Sequence, residues 1–100
     1  MDSISNDAIA ADILGALGNE TRLAVYRLLV RAGQDGLNIG QIQEHLNAAP
    51  STLAHHLQTL VHAGLIIQDK KGREVMCSAN FDTMNAVVAY LTDECCKGFC

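Results

Sequence analysis

The segment between Ile39 and Cys77 constrains the fold most, because its apolar spacing changes character three times over a short stretch. Ile39, Ile42 and Leu46 recur at i, i+3, i+7 and mark a brief helix over about 40–46. Asn47-Ala48-Ala49 is a tight connection to Pro50, whose fixed φ and missing N–H suit the first position of a helix. Over about 50–63, Leu53, Leu57, Leu60 and Val61 give that helix one apolar face, and Gly64 ends it. Leu65-Ile66-Ile67, a polar tip at Asp69-Lys70-Lys71-Gly72, and Arg73-Glu74-Val75-Met76-Cys77 then read as a β-hairpin over about 65–77. Two short helices joined by a tight turn, with a hairpin directly behind them, have the order of a winged helix-turn-helix.

The flanks add helices to this centre. Ile9, Ile13, Ala16 and Leu17 predict a helix over about 5–17 that stops near Gly18. Asn19 and Glu20 suit the start of another over about 20–32, with Leu23, Tyr26, Leu29 and Val30 as its buried stripe. Gly33, Asp35 and Gly36 make a turn, and Leu37–Ile39 is long enough only for a short extended piece. A last helix over about 80–95, capped by Asn80 or Asp82, carries Phe81, Met84, Val88 and Leu91 and runs into a cysteine tail. The expected fold class is therefore mainly α with a small β-hairpin, and the 100 residues make one domain spanning 1–100. About half of them are apolar, none is Trp, and a chain this small leaves apolar surface uncovered unless a second subunit covers it. Burial thus favours a dimer.

Charge and cysteine usage limit the function classes. No secretory leader pattern and no apolar run of membrane-spanning length is visible, and the chain is therefore expected in the cytoplasm and away from membranes. In that reducing compartment Cys77, Cys95, Cys96 and Cys100 are expected as thiols or ligands rather than structural disulfides. The net charge of −4 argues against indiscriminate adhesion to nucleic acid, but six of the seven Lys and Arg residues fall between Arg22 and Arg73, apart from the acidic N-terminal segment. A Cys-His catalytic pair is disfavoured because no histidine lies in the last third of the chain, and neither a phosphate loop nor a carboxylate pair is present. The chain is read as a non-enzyme with no organic cofactor.

If Leu53, Leu57 and Leu60 face the core, then Ser51, His55, Gln58, Thr59 and His62 point away from it. That face carries hydroxyls, imidazoles and an amide without a carboxylate, groups that hydrogen-bond base edges and phosphates. Ser51 and Thr52 lie where the unsatisfied N–H groups of a helix start favour a phosphate. Gln58 can pair bidentately with adenine, and His55 can donate to a purine acceptor. Lys70, Lys71 and Arg73 are placed at the hairpin tip to reach phosphates or a minor groove. Gln41 in the preceding helix completes the candidate contacts to double-stranded DNA, whereas His56, flanking the apolar stripe, reads as a packed and hydrogen-bonded histidine.

The run Leu17-Gly18-Asn19-Glu20-Thr21-Arg22-Leu23, with Ser51-Thr52-Leu53-Ala54-His55-His56-Leu57 and Ala63-Gly64-Leu65-Ile66, resembles the ArsR/SmtB family of metalloregulatory repressors. The resemblance implies a homodimer built from the first and last helices, with two recognition helices in successive major grooves of a near-palindromic operator. Ala54 departs from it, standing where the family often has a DNA-contacting Ser. Two inducer locations used in the family are missing: Gln41-Ile42-Gln43-Glu44-His45 holds no thiol, and Asp82 to Glu94 holds no histidine. What remains is Cys95-Cys96-Lys97-Gly98-Phe99-Cys100, which resembles the vicinal-cysteine tail of arsenite-responsive members. Soft thiolates select thiophilic ions, and trivalent arsenic or antimony is satisfied by three sulfurs without the fourth ligand that zinc requires. Adjacent cysteines diverge on a helix, so convergence requires the chain to leave helical geometry after Cys95, which Gly98 permits, and Lys97 is expected to favour the thiolates. The expected function is a repressor that releases its operator when arsenite or antimonite binds Cys95, Cys96 and Cys100. A repressor of the same fold whose tail thiols oxidise is the alternative. Cys77 reads as structural, with a minor redox role as the alternative.

Overall fold

The structure is a computed structural model that describes residues 4–98. Its elements are α1 (Asp7–Leu17), α2 (Glu20–Ala32), β1 (Leu37–Asn38), α3 (Ile39–Leu46), α4 (Pro50–His62), β2 (Ile66–Lys71), β3 (Glu74–Ala79) and α5 (Phe81–Thr92). Asparagine starts four of the five helices. Asn6, Asn19, Asn38 and Asn80 each accept a backbone N–H through the side chain, and Asn38 forms a reciprocal capping box with Gln41. Helix α4 starts on Pro50 instead, with no side-chain cap.

The strands form one antiparallel sheet in the order β1-β3-β2, so the hairpin gains a third, two-residue strand through Leu37 opposite Cys77 and Asn38 opposite Met76. The hairpin is longer than the expected 65–77. Strand β3 runs on to Ala79, and β2 continues through Lys71, which faces Glu74 across a two-residue turn at Gly72-Arg73. Lys70 and Lys71 therefore belong to a strand rather than a loop tip, and consecutive strand residues point to opposite faces.

The core is built from Val25, Leu29, Ile42, Leu53, Leu57, Leu60, Leu65, Cys77 and Val87, all buried, with Ile13 and Ala16 of α1 closing one side. One expected buried stripe is shifted. In α2 the buried residues are Val25, Tyr26 and Leu29, while Leu23 and Val30 lie about 100° further round and are exposed. In α5 Thr83 and Val87 are buried, whereas Phe81, Val88 and Leu91 face outward. Ile39 is also exposed. The hydroxyl of Tyr90 on α5 donates to the Asp7 carboxylate on α1, which ties the two terminal helices together.

Gly36 lets β1 reach β3. Its φ is +69°, and a Cβ there would sit 2.1 Å from the carbonyl oxygen of Cys77. Gly36→Ala is expected to lower stability by about 1–3 kcal/mol, because the left-handed backbone and the backbone clash both penalise a side chain. Urea unfolding at fixed protein concentration checks this, and an unchanged midpoint would contradict so close an approach.

Candidate nucleic-acid interface and thiol pair

Helices α3 and α4 meet at Asn47-Ala48-Ala49, where Asn47 takes a left-handed conformation (φ 51°) that stops α3 and redirects the chain. Leu53, Leu57 and Leu60 anchor α4 in the core, and this fixes its other face. Ser51, His55, Gln58 and His62 share the outer side, all exposed. Thr52 is exposed on a flank beside half-buried Thr59, whose hydroxyl donates to the carbonyl of His55 at 3.2 Å and is partly occupied within the helix. Gln41 is exposed, but its side-chain oxygen accepts the Asn38 N–H at 2.9 Å, so only its amide NH2 remains to make a contact. Lys70, Lys71 and Arg73 are exposed along the wing, separated from α4 by the Gly64 turn.

His56 is half-buried and bonded within the protein. Its Nδ1 lies 3.3 Å from a guanidinium nitrogen of Arg22, and its pKa is lowered by burial first, then by the charges of Arg22 and His55. The sequence reading did not single out Arg22. A faint signal was there: a cation in the first turn of α2 opposes that helix's dipole, and a partner outside the helix offsets the cost. Its Nε donates to the carbonyl of Ala16 at 2.6 Å.

Cys77 is fully buried on β3, and burial pushes its thiol pKa up while a 3.6 Å contact from the Gln68 amide partly offsets this. It is a packed residue. The tail differs. Helix α5 ends at Thr92, three residues before the expected end at Cys95, because Asp93 is extended and Glu94 and Cys96 take left-handed conformations (φ 60° and 67°), as does Gly98 (φ 86°). Freed from helical geometry, the adjacent side chains do not diverge. The sulfurs of Cys95 and Cys96 lie 3.0 Å apart and both residues are exposed. The contact with Cys96, and then burial, push the Cys95 thiol pKa up, opposite in direction to the thiolate-favouring effect expected of Lys97. Cys100 lies outside the described residues. Among the described residues no group of three or more His, Cys, Asp or Glu could hold a metal ion, and no helix is long and apolar enough to cross a membrane.

A helix pair with an outward polar face, backed by a hairpin, defines a winged-helix DNA-binding domain. The helix-turn-helix domain family matches residues 17–69. The uncharacterised HTH-type transcriptional regulator YceK of Bacillus subtilis is 38% identical over 79 residues, covering 79% of this chain and 78% of the relative. A Halobacterium salinarum protein assigned as the arsenical resistance operon repressor ArsR is 37% identical over 68 residues, covering 66% of this chain and 52% of its own. The solved structure of an ArsR-like transcriptional regulator from Rhodococcus sp. RHA1 superposes with a TM-score of 0.75 at 27% identity, covering 84% of this chain and 76% of that one. The chain belongs to the ArsR/SmtB family of winged-helix transcription regulators, and its relatives are regulators rather than enzymes.

Gln58→Ala is expected to relax base preference at one operator position at a cost of about 1–3 kcal/mol, whereas Lys71→Ala weakens all sequences alike and lowers the salt slope by about one. Anisotropy titrations on operator variants at several salt concentrations separate the two. Uniform loss in both variants would remove Gln58 from base reading.

Proposed function

We propose that this chain is a cytosolic DNA-binding repressor, homodimeric through α1 and α5, that leaves its operator when trivalent arsenic or antimony is held by Cys95, Cys96 and Cys100. The observation that carries the reading is the exposed Cys95–Cys96 sulfur pair, 3.0 Å apart beyond the end of α5. Two soft donors side by side fit two of the three positions of a pyramidal thiophilic ion, and Cys100 supplies the third from the same tail. The halobacterial relative, by its assigned name an arsenical resistance repressor, supports the same inducer class.

The dimer is supported by apolar side chains left open on the two terminal helices: Leu14 on α1, and Phe81, Val88 and Leu91 on α5, with Val88 52% and Leu91 59% exposed. Operator contacts are assigned to Ser51, Thr52, His55, Gln58 and Thr59 of α4, to Gln41 of α3, and to Lys70, Lys71 and Arg73 of the wing. A second reading, release by oxidation of the tail thiols, draws on the same sulfur contact.

The test is a titration of the reduced protein, bound to a labelled duplex from its own upstream region, with arsenite, antimonite, zinc and peroxide in turn. The reading expects thiolate charge-transfer absorption and loss of anisotropy to rise together with arsenite or antimonite. Release by peroxide alone would favour the oxidation reading, and a duplex never bound would remove both.

A further inference from the structure

Arg22 joins three helices through one side chain. Its Nε donates to the carbonyl of Ala16 at 2.6 Å, and one terminal nitrogen lies 3.5 Å from the carbonyl of Gly15, both in the last turn of α1. The other terminal nitrogen lies 3.3 Å from Nδ1 of His56, in the middle of α4. We propose that Arg22 is a positioning residue for operator binding, which locks the recognition helix α4 to the end of α1 through His56 without touching DNA. The operator role rests on the DNA-binding reading above.

The charges explain why this residue sits here. The last carbonyls of α1 are the negative end of a helix dipole, so a cation against them is favourable, whereas the same cation in the first turn of α2 is unfavourable for its own helix. The placement makes sense through what Arg22 holds. A guanidinium is a rigid planar fork, and fixing two of its edges on α1 fixes the direction in which the third presents a donor to α4. The partner must be a neutral imidazole with Nδ1 unprotonated, and the lowered pKa of His56 is consistent with that state.

His56 is well placed to transmit the constraint. It lies between Leu53 and Leu57, which anchor α4, and directly follows His55, which faces outward. Rotation of α4 about its axis would swing Ser51, His55 and Gln58 together, and these have to enter one groove in register. The leucines supply adhesion but slide; a directional bond to a charged donor does not.

The test uses the full-length dimer and an operator duplex defined by footprinting wild-type protein on its own upstream region. Arg22→Met and His56→Phe are each expected to lower operator affinity about tenfold, as loss of one hydrogen bond to a charged group would, while leaving the dimer intact. The log–log salt slope should stay at the wild-type value. His56→Asn, which offers an oxygen near the Nδ1 position, should bind within about threefold of wild type. In nitrogen-15 spectra, His56 should show an unprotonated Nδ1 in wild type and lose that fixed tautomer in Arg22→Met. A salt slope lower by about one in Arg22→Met would make Arg22 a phosphate contact and overturn the proposal. Undiminished affinity in Arg22→Met and His56→Phe, or equal loss in the Asn and Phe variants, would overturn it too. Wild-type protein that protects no duplex but keeps the His56 tautomer would defeat the DNA-binding reading and the operator role with it, while leaving the lock itself in place.

Discussion

Cys95→Ser and Cys96→Ser are each expected to abolish arsenite-induced release while leaving operator affinity at the wild-type value. A serine hydroxyl is a hard, uncharged donor at neutral pH, so either change removes one soft ligand from an ion that takes three. Both residues are exposed beyond the end of α5 and contribute nothing to the core or to α4, so operator binding should not notice. Cys100→Ser should impair release less, since the closely spaced pair still offers two sulfurs. Ion binding can reach the DNA because Cys95 N–H bonds back to the carbonyl of Thr92, the last residue of α5. Remodelling the tail therefore pulls on a helix assigned to the dimer contact, and two recognition helices must stay about 34–36 Å apart to occupy successive grooves. Release that survives in the Cys95, Cys96 double variant would refute the tail as sensor and leave Cys77, whose burial and raised pKa make it a poor ligand.

Leu91→Glu should convert the dimer to monomers at micromolar concentration and weaken operator binding by about a hundredfold or more, because the second half-site then ceases to be an intramolecular event. Leu91 is the most exposed of the large apolar residues in the described chain, at 59%, and a carboxylate there costs the folded monomer little while burying badly in a subunit contact. Sedimentation checks it. A wild-type monomer, or a Leu91→Glu dimer of undiminished affinity, would contradict the assignment.

Helix periodicity and capping chemistry carried most of the architecture. The caps at Asn19 and Asn80, the Pro50 start and the leucine stripe of α4 are local signals found where the sequence reading put them, whereas the Asn6 and Asn38 caps were not singled out. What was hidden is non-local. The short extended piece at Leu37–Ile39 was legible, but its pairing with β3 and the close approach at Gly36 were not, because two residues carry no period that names a partner. The open α5 stripe with Leu91 was legible as a surplus of apolar residues over what one small core can cover, whereas the outward turn of Leu23 and Val30 on α2 was not, because an exposed apolar residue has the same spacing as a buried one. The early end of α5 lacked a sequence mark, since no Gly or Pro stands between Thr92 and Lys97 to stop a helix. Arg22 was visible as part of a motif, but its bond to His56 spans 34 positions, and only the fold brings the two together.

The most direct measurement compares arsenite affinity for the free dimer and for the dimer saturated with operator. Linkage requires that operator weaken arsenite binding by the same factor as arsenite weakens operator binding. A factor of about ten or more is expected in each direction, equal within error. Arsenite that binds free and operator-bound protein with the same affinity would contradict it, since such an ion could never drive release however tightly the thiols held it.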